Sequence, residues 1–292
     1  FRCDDPDFFV HSIPDGTVFQ VRRASLESGS NVFRDMFECC DSGFVMDEVE
    51  VEARAIHVPK SSSNLNLLFH LLHAPPPPYV EELGGPVQQI GDSESHLTEW
   101  HIATLAPKTA IPLPLLPKLL MLSDKYALSE DTIASLHSHL AAYAPVYPLR
   151  VYGYAVELGL ETLASRTSMY LLHPPLAQYT PKEVDAIPTA EAYHKLVLLH
   201  HYRIERLREV LQKEEIFPHG YRLCVKHAQS TECMWQQRKA DILIRIEAAT
   251  DVAAEMDVLQ KKLIHCETCT RAYVAAVSML AYKCAKIPRE TD

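Results

Sequence analysis

The sequence predicts an α+β fold, a small sheet capped by helices and followed by an all-α extension. Near the start, the turn signal Pro14-Asp15-Gly16 separates two β-prone runs, which is typical of a hairpin. Beyond about residue 145 the residue pattern predicts helix almost throughout. We therefore expect three segments. They are 1–145, which holds the sheet and a Pro/Gly-rich insertion at about 74–112, then a helical extension over 146–213, then a C-terminal helical hairpin over 214–292.

Local signals predict the elements of the first segment. Ser30 is a good helix N-cap, because its hydroxyl can accept from the free amides of the first turn. Four consecutive prolines from Pro75 favour an extended polyproline II segment. We interpret that run as a rigid spacer rather than a ligand for a proline-binding module. The predicted strands cover residues 8–10, 17–21 and 55–58, and the predicted helices begin near residues 30, 61, 115 and 129.

The second half carries a long amphipathic helix, predicted from about residue 189 to 213 and roughly 37 Å long at ~1.5 Å per residue. Its apolar stripe could form a coiled coil, although we favour packing within its own domain because two or three heptads are too few for a zipper. Thr180-Pro181-Lys182-Glu183 has the signature of a short capped helix. The stripe comprises Val197, His200, Ile204, Leu207 and Leu211, and the other predicted helices cover about 149–160, 161–172, 231–249 and 251–263.

An ordered set of short motifs runs through the first 145 residues. They are Asp7-Phe8-Phe9-Val10, Asp15-Gly16, Phe19-Gln20-Val21, Arg22-Arg23-Ala24-Ser25-Leu26, Ser30-Asn31-Val32-Phe33-Arg34-Asp35-Met36-Phe37, Leu71-Leu72-His73 and Leu122-Ser123-Asp124-Lys125-Tyr126-Ala127-Leu128. Taken together and in this order, they resemble a BTB/POZ domain, and most closely those of filamentous and basidiomycete fungi. The resemblance implies a sheet capped by helices that pairs with another copy or another BTB protein, or docks a partner, and it does not imply catalysis.

Two groups of residues are predicted to contact protein partners. The apolar stripe Val32, Phe33, Met36 and Phe37 lies on one side of the helix after Ser30. Some members of the resembled family recruit cullin-type ubiquitin ligases through an apolar-x-Glu element, and Met46-Asp47-Glu48 fits that pattern. The expected function is thus a protein-interaction scaffold, with a cullin substrate adaptor as the alternative.

Charge and hydropathy argue against nucleic-acid and membrane partners. The formal net charge is −10, and no long segment is strongly basic, whereas nucleic-acid binding depends on cationic surface. The longest apolar stretch, 111–122, is interrupted by three prolines and Lys118, so it is too short to span a bilayer. Neither an initiator Met nor a signal region is found at the start. We expect an intracellular protein, cytoplasmic or nuclear, and the chain could be a trimmed fragment.

The strongest chemical signal is a pair of two-residue-spaced motifs. Cys224-x-x-His227 and Cys266-x-x-Cys269 are separated by 38 residues. Three sulfurs and one imidazole form a tetrahedral set that suits one structural zinc ion. Unliganded thiols or a redox pair remain alternatives, although a thioredoxin-like motif would need a βαβ context. The nearby residues that could substitute as ligands are His219, Cys233, His265 and Cys284.

Catalytic motifs are not recognisable. The fifteen histidines show no partner arrangement typical of acid–base or nucleophilic catalysis, and the sequence lacks a nucleophile elbow, a phosphate-binding loop and a dinucleotide fingerprint. We therefore predict a non-enzymatic protein with no catalytic or cofactor-binding residues apart from the candidate zinc ligands.

Overall fold

The computed structural model describes residues 1–41, 55–80, 107, 109–220, 222–262 and 266–291. The chain divides into two compact units, Phe1–Val146 and Tyr147–Asp292. The first unit contains a three-stranded sheet with helices, and every regular element described in the second is helical. The predicted α+β class is therefore confirmed. The second unit, which begins at Tyr147, holds the predicted C-terminal segment 214–292 and all of the predicted extension 146–213 except its first residue.

The sheet has the strand order β2-β1-β3. Strand β1 pairs antiparallel with β2, with Phe8 opposite Val21, and parallel with β3, with Ser12 opposite Val58. Alternate residues of β1 are buried, as expected for a strand with one covered face. The predicted hairpin and third strand are confirmed, and Gly16 takes the positive φ of the hairpin turn. The strands are β1 (Phe8–Ser12), β2 (Val18–Val21) and β3 (Ala55–Val58).

Ser30 connects the start of the helix that follows it with the segment around Tyr126 and Leu128. Its hydroxyl accepts from the Phe33 amide at 3.2 Å, which confirms the predicted N-cap, and it also donates to the Tyr126 carbonyl. Ser30 further forms an antiparallel β-bridge with Leu128. The helices of this unit are α1 (Arg23–Gly29), which was not predicted, α2 (Asn31–Asp41), α3 (Ser62–His73), α4 (Leu116–Lys125) and α5 (Glu130–Ala141).

The proline run lies along α5. Ser135 Oγ donates to the Pro76 carbonyl at 2.7 Å, and His139 Nε2 donates to the Pro77 carbonyl at 3.0 Å. The Tyr79 amide donates to Ser138 Oγ at 2.7 Å. Because these carbonyls are already bonded within the chain, the contacts favour a rigid spacer over a free ligand. Most of the predicted insertion at 74–112 lies outside the described residues.

The second unit consists of seven α-helices in its described part. Thr180 and Glu183 form the predicted capping box. Gly153 approaches the chain after α8 so closely that a Cβ there would lie 1.9 Å from the Ala186 carbonyl oxygen. The helices are α6 (Pro148–Glu157), α7 (Glu161–Ser168), α8 (Pro181–Val184), α9 (Ala190–Lys213), α10 (Ala228–Arg245), α11 (Val252–Asp257) and α12 (Glu267–Ala285). None of the helices described in either unit is long and apolar enough to cross a membrane.

Helix α9 confirms the predicted long helix but corrects its stripe. Val197 is 37% exposed, whereas Leu196 and Arg203 are buried. The Arg203 guanidinium donates to the carbonyls of Ala248, Ile287 and Pro288 at 2.7–3.1 Å, so its burial is compensated by hydrogen bonds. The C-terminal half of α9 packs within its own unit, in a core cluster that includes Leu207, Leu211, Trp235, Met256, Tyr273 and Leu280.

The end of the chain is not a simple hairpin. Helix α10 is followed by the short α11, a 3₁₀ segment at Val258–Lys262 and then the 19-residue α12. The predicted helix over 251–263 is thus shorter than expected, and α12 was not predicted as a separate element. Helix α9 and all three of the helices after it contribute side chains to the core of this region.

Candidate metal site

The structure brings the four predicted ligands together. The ligand atoms of Cys224, His227, Cys266 and Cys269, which we call the Cys3His cluster, all lie within 4.8 Å of one another. Cys224 Sγ is 3.7 Å from His227 Nδ1 and 3.7 Å from Cys266 Sγ. These four residues could therefore hold a metal ion.

The ligands lie at the starts of two helices. His227 is the residue before α10, and Cys266 is the residue before α12. Cys224 belongs to the turn that leads into α10, where its carbonyl accepts from the Ala228 amide at 3.0 Å. Helices α10 and α12 contact each other through Trp235 and Tyr273. Packing of the helices thus aligns the two motifs, although 38 residues separate them.

The cluster lies at the boundary between the core and the solvent. Cys269 is buried, Cys224 and Cys266 are half-buried, and His227 is exposed. Two of the predicted substitutes, Cys233 and Cys284, do not belong to the cluster found among the described residues. The side chains of the other two, His219 and His265, lie outside the described part.

Backbone amides favour the thiolate forms of two cysteines. The amide of His227, followed by that of Lys226, lowers the pKa of Cys224. The amide of Cys269 and the His227 side chain lower the pKa of Cys266 to about 6. Amides at helix starts carry partial positive charge, which stabilises a thiolate. Both sulfurs are thus in surroundings that favour the metal-binding form.

The pKa values of His227 and Cys269 are both raised, but for different reasons. Contacts with Cys266 and Cys224 raise the pKa of His227, since nearby sulfurs favour the imidazolium. Burial raises the pKa of Cys269 to about 11, because a thiolate is poorly solvated in the core. Metal binding requires the deprotonated thiolate and the neutral imidazole, so a cation would have to displace these protons.

The donor set defines the kind of site. Three sulfurs and one nitrogen complete a four-coordinate arrangement without using a water molecule. A catalytic metal site keeps one position open for substrate or water, whereas a structural site is closed. Binding through all four side chains would leave no open coordination position at the ion.

Sequence reasoning missed one residue beside the cluster. Thr231 is buried on α10, one turn after His227, and it contacts the Cys269 sulfur. The spacing of four residues was the available signal, because residues i and i+4 lie on the same face of a helix. A threonine at this position has no recognisable motif, so the sequence alone could not distinguish it from an ordinary core residue.

Two of the predicted partner contacts are wrong. Phe33 and Phe37 are 0% and 2% exposed, because they pack into the core of the first unit. The Phe33 ring stacks on Tyr126 with centroids 5.5 Å apart, and the Phe37 ring meets Phe8 edge to face at 5.0 Å. The four residues do lie along one apolar stripe of the helix, but Phe33 and Phe37 on that stripe face the core rather than a partner. Val32 and Met36 are half-buried, while Met46 and Glu48 lie outside the described residues.

His73 and His200 form hydrogen bonds with backbone groups. His200 Nε2 donates to the Leu171 carbonyl at 2.9 Å. His73 accepts from the Arg22 amide at 3.0 Å and donates to the Phe69 carbonyl. His11 and His57 face each other on paired strands with ring centroids 4.8 Å apart. The hydrogen bonds of His73 and His200 are those of structural histidines.

Comparison with known proteins gives no assignment. No family model matches the chain, and no curated protein matches it significantly.

Proposed function

We propose that this chain is a non-enzymatic protein-interaction scaffold. Its first unit would pair with another copy of the chain or with another BTB-like protein, and its second unit would be a helical extension stabilised by one structural zinc ion. The observation that carries the interaction role is the topology of the first unit. A small three-stranded sheet accompanied by helices agrees with the sheet capped by helices that the BTB/POZ resemblance implies.

Two features of the first unit support a binding surface. Val32 and Met36 are only half-buried on α2, beside the buried Phe33 and Phe37, so they can contact a partner without opening the core. Strand β3 bonds to β1 along one edge, and no described strand covers its other edge. An uncovered strand edge can pair with a strand of another chain.

The oligomeric state of the 292-residue chain tests the interaction role. We expect light scattering to detect a species larger than the 33.0 kDa of one chain. Met36→Lys should weaken that association, because it places a charge in an apolar contact. Asp35→Lys is the matched control, since Asp35 is an exposed neighbour on the same helix. A monomer at all concentrations, together with no partner after native affinity purification, would refute the scaffold proposal.

The alternative is a substrate adaptor for a cullin-type ubiquitin ligase. It depends on Met46 and Glu48, which the structure does not describe. Co-purification of a cullin that is lost on Met46→Ala and Glu48→Ala substitution would favour the adaptor role. Purification with only self-association or unrelated partners would favour the general scaffold.

The donor set of the Cys3His cluster carries the zinc proposal. Thiolate and imidazole ligands in a closed tetrahedral arrangement suit Zn²⁺, and the protein would hold it in a reducing, intracellular compartment. Elemental analysis of purified protein should find one zinc per chain. Replacing Cys266 and Cys269 with serine should abolish it, whereas Cys233→Ser should not, because Cys233 is exposed and outside the cluster. Metal-free wild-type protein after purification in zinc-containing buffer would reject the site.

A further inference from the structure

The hydroxyl of Thr231 is buried without a partner. Thr231 is 2% exposed, and its Oγ1 makes no hydrogen bond. Among the described residues, the only other buried side-chain oxygen or nitrogen in this condition is Oγ1 of Thr167. A buried hydroxyl without a partner costs about 1–3 kcal/mol, so such groups are rare and call for a physical reason.

The surroundings of Thr231 indicate that reason. Its backbone amide donates to the His227 carbonyl at 2.9 Å, which fixes it one helical turn from this ligand. Its side chain contacts the sulfur of Cys269, the most deeply buried ligand of the Cys3His cluster. The hydroxyl is therefore directed into the cluster.

Cys269 also differs from the other two cysteines in its donors. Backbone amides act on the sulfurs of Cys224 and Cys266. Thr231, which lies outside the cluster, contacts the sulfur of Cys269 with a side chain that can donate a hydrogen bond. A buried thiolate needs compensating hydrogen bonds, so Cys269 is the ligand for which a side-chain donor matters most.

We propose that Thr231 is a positioning residue of the metal site, whose hydroxyl donates an O–H···S hydrogen bond to the Cys269 thiolate when the cluster binds its metal ion. The inference rests on the proposed zinc site. In the metal-free protein Cys269 is a buried thiol. Its sulfur is then a weak hydrogen-bond acceptor, so a bond from the Thr231 hydroxyl stabilises the protein little. In the metal-bound protein Cys269 is a thiolate, and the hydroxyl orients it and compensates its charge.

If Thr231 has this role, removing its hydroxyl should affect the stability of the metal-free protein and the binding of the metal in different directions. Removing the hydroxyl should leave the metal-free protein equally stable or make it more stable, because an unpartnered polar group disappears. The same change should weaken metal binding. A residue that acts only through core packing would instead change the stability of both states in the same direction.

The test compares Thr231→Val with Thr167→Val in the 292-residue chain. Each substitution removes a buried, unpartnered hydroxyl from the second unit, but only Thr231 lies beside the cluster. Zinc affinity is measured by competition with a chromophoric chelator at constant pH. We expect Thr231→Val to lose about tenfold or more in affinity, as is typical for groups that support metal ligands. Thr167→Val should bind zinc like the wild type.

Cobalt substitution supplies a readout of the sulfur itself. The sulfur-to-cobalt charge-transfer absorption depends on the hydrogen bonds that the thiolates accept, so it should shift in Thr231→Val and not in Thr167→Val. If valine packs poorly, Thr231→Ser and Thr231→Ala replace it, since these two variants differ only by the hydroxyl. The serine variant should then bind zinc more tightly than the alanine variant.

The outcomes separate this inference from the zinc proposal. Wild-type protein that fails to bind zinc would overturn both. Wild-type protein that binds zinc, with equal affinity in Thr231→Val, would overturn only the role of Thr231. Equal losses of affinity in Thr231→Val and Thr167→Val would also overturn it, because they would indicate a general effect on the fold.

Discussion

Trp235 and Tyr273 meet edge to face in the core of the second unit, with ring centroids 5.6 Å apart. Trp235 lies one helical turn after Thr231 on α10, and Tyr273 lies one turn after Cys269 on α12. The aromatic contact therefore joins the two helices whose starts carry the candidate ligands. Packing and metal binding would act on the same pair of helices.

Replacing Trp235 with alanine should strongly destabilise the second unit. The side chain is fully buried, and its removal leaves a large cavity beside Tyr273. We expect a loss of about 3–5 kcal/mol in the free energy of unfolding, measured by urea denaturation. Tyr282→Ala is the control, because Tyr282 lies on α12 but is 58% exposed. Equal losses in both variants would contradict the assignment of Trp235 to the core.

Removing the metal should destabilise the second unit in a concentration-dependent way. A ligand that binds only the folded state adds about 4 kcal/mol when its free concentration is 1,000 times its dissociation constant. A strong chelator should therefore lower the thermal unfolding midpoint of the wild type and of Cys233→Ser. The Cys266→Ser variant should unfold at the lower temperature with or without chelator. A chelator effect that persists in Cys266→Ser would place the metal elsewhere.

Local features were predictable from the sequence because they depend on neighbouring residues. The caps at Ser30 and Thr180 and the hairpin turn at Gly16 each follow from a few adjacent side chains. The Cys3His cluster was predictable because its two motifs have strict spacing. These are cases in which residue type and separation already determine the geometry.

Other features depend on contacts between distant segments. The burial of Arg203 requires carbonyls that lie 45–85 residues away in the chain, and no periodic pattern contains that information. Phe33 and Phe37 were correctly assigned to one helix face, but whether that face meets the core or a partner depends on Phe8 and Tyr126. Thr231 was missed for the same reason, since its neighbour Cys269 lies on another helix.

Gly153→Ala should destabilise the second unit. A Cβ at this position would lie 1.9 Å from the backbone oxygen of Ala186, and a carbonyl cannot move aside as a side chain can. We expect a cost of about 1–3 kcal/mol, or more, in the free energy of unfolding, as for other overpacked positions.

Gly29→Ala is the comparison for that substitution. Its nearest atom would be the flexible end of Leu72 at 2.6 Å, which can shift more cheaply. Circular dichroism during thermal unfolding should therefore show the larger loss for Gly153→Ala. A variant with alanine at 153 that unfolds like the wild type would show that the chain near Ala186 can move away from α6.

The stability of the second unit should fall in acid partly because of His200. Burial lowers the pKa of His200, its hydrogen bond to Leu171 opposes that shift, Arg203 adds to it, and Glu247 opposes it. The unfolded chain, in which the pKa is about 6.5, therefore binds the proton more tightly than the folded chain does. The contribution of His200 is fully present above pH 6.5 and is lost as the pH falls through the lower, folded-state value.

Comparison of His200→Gln with His201→Gln isolates this contribution. His201 is the exposed neighbour on α9, and it experiences the same change in solvent. Glutamine can still donate to the Leu171 carbonyl, but it does not titrate. Between pH 7 and pH 5, urea denaturation should show a smaller loss of stability for His200→Gln than for His201→Gln. Acid protonation of the cluster affects both variants equally, so identical losses would mean that His200 takes up its proton in the folded state as readily as in the unfolded one.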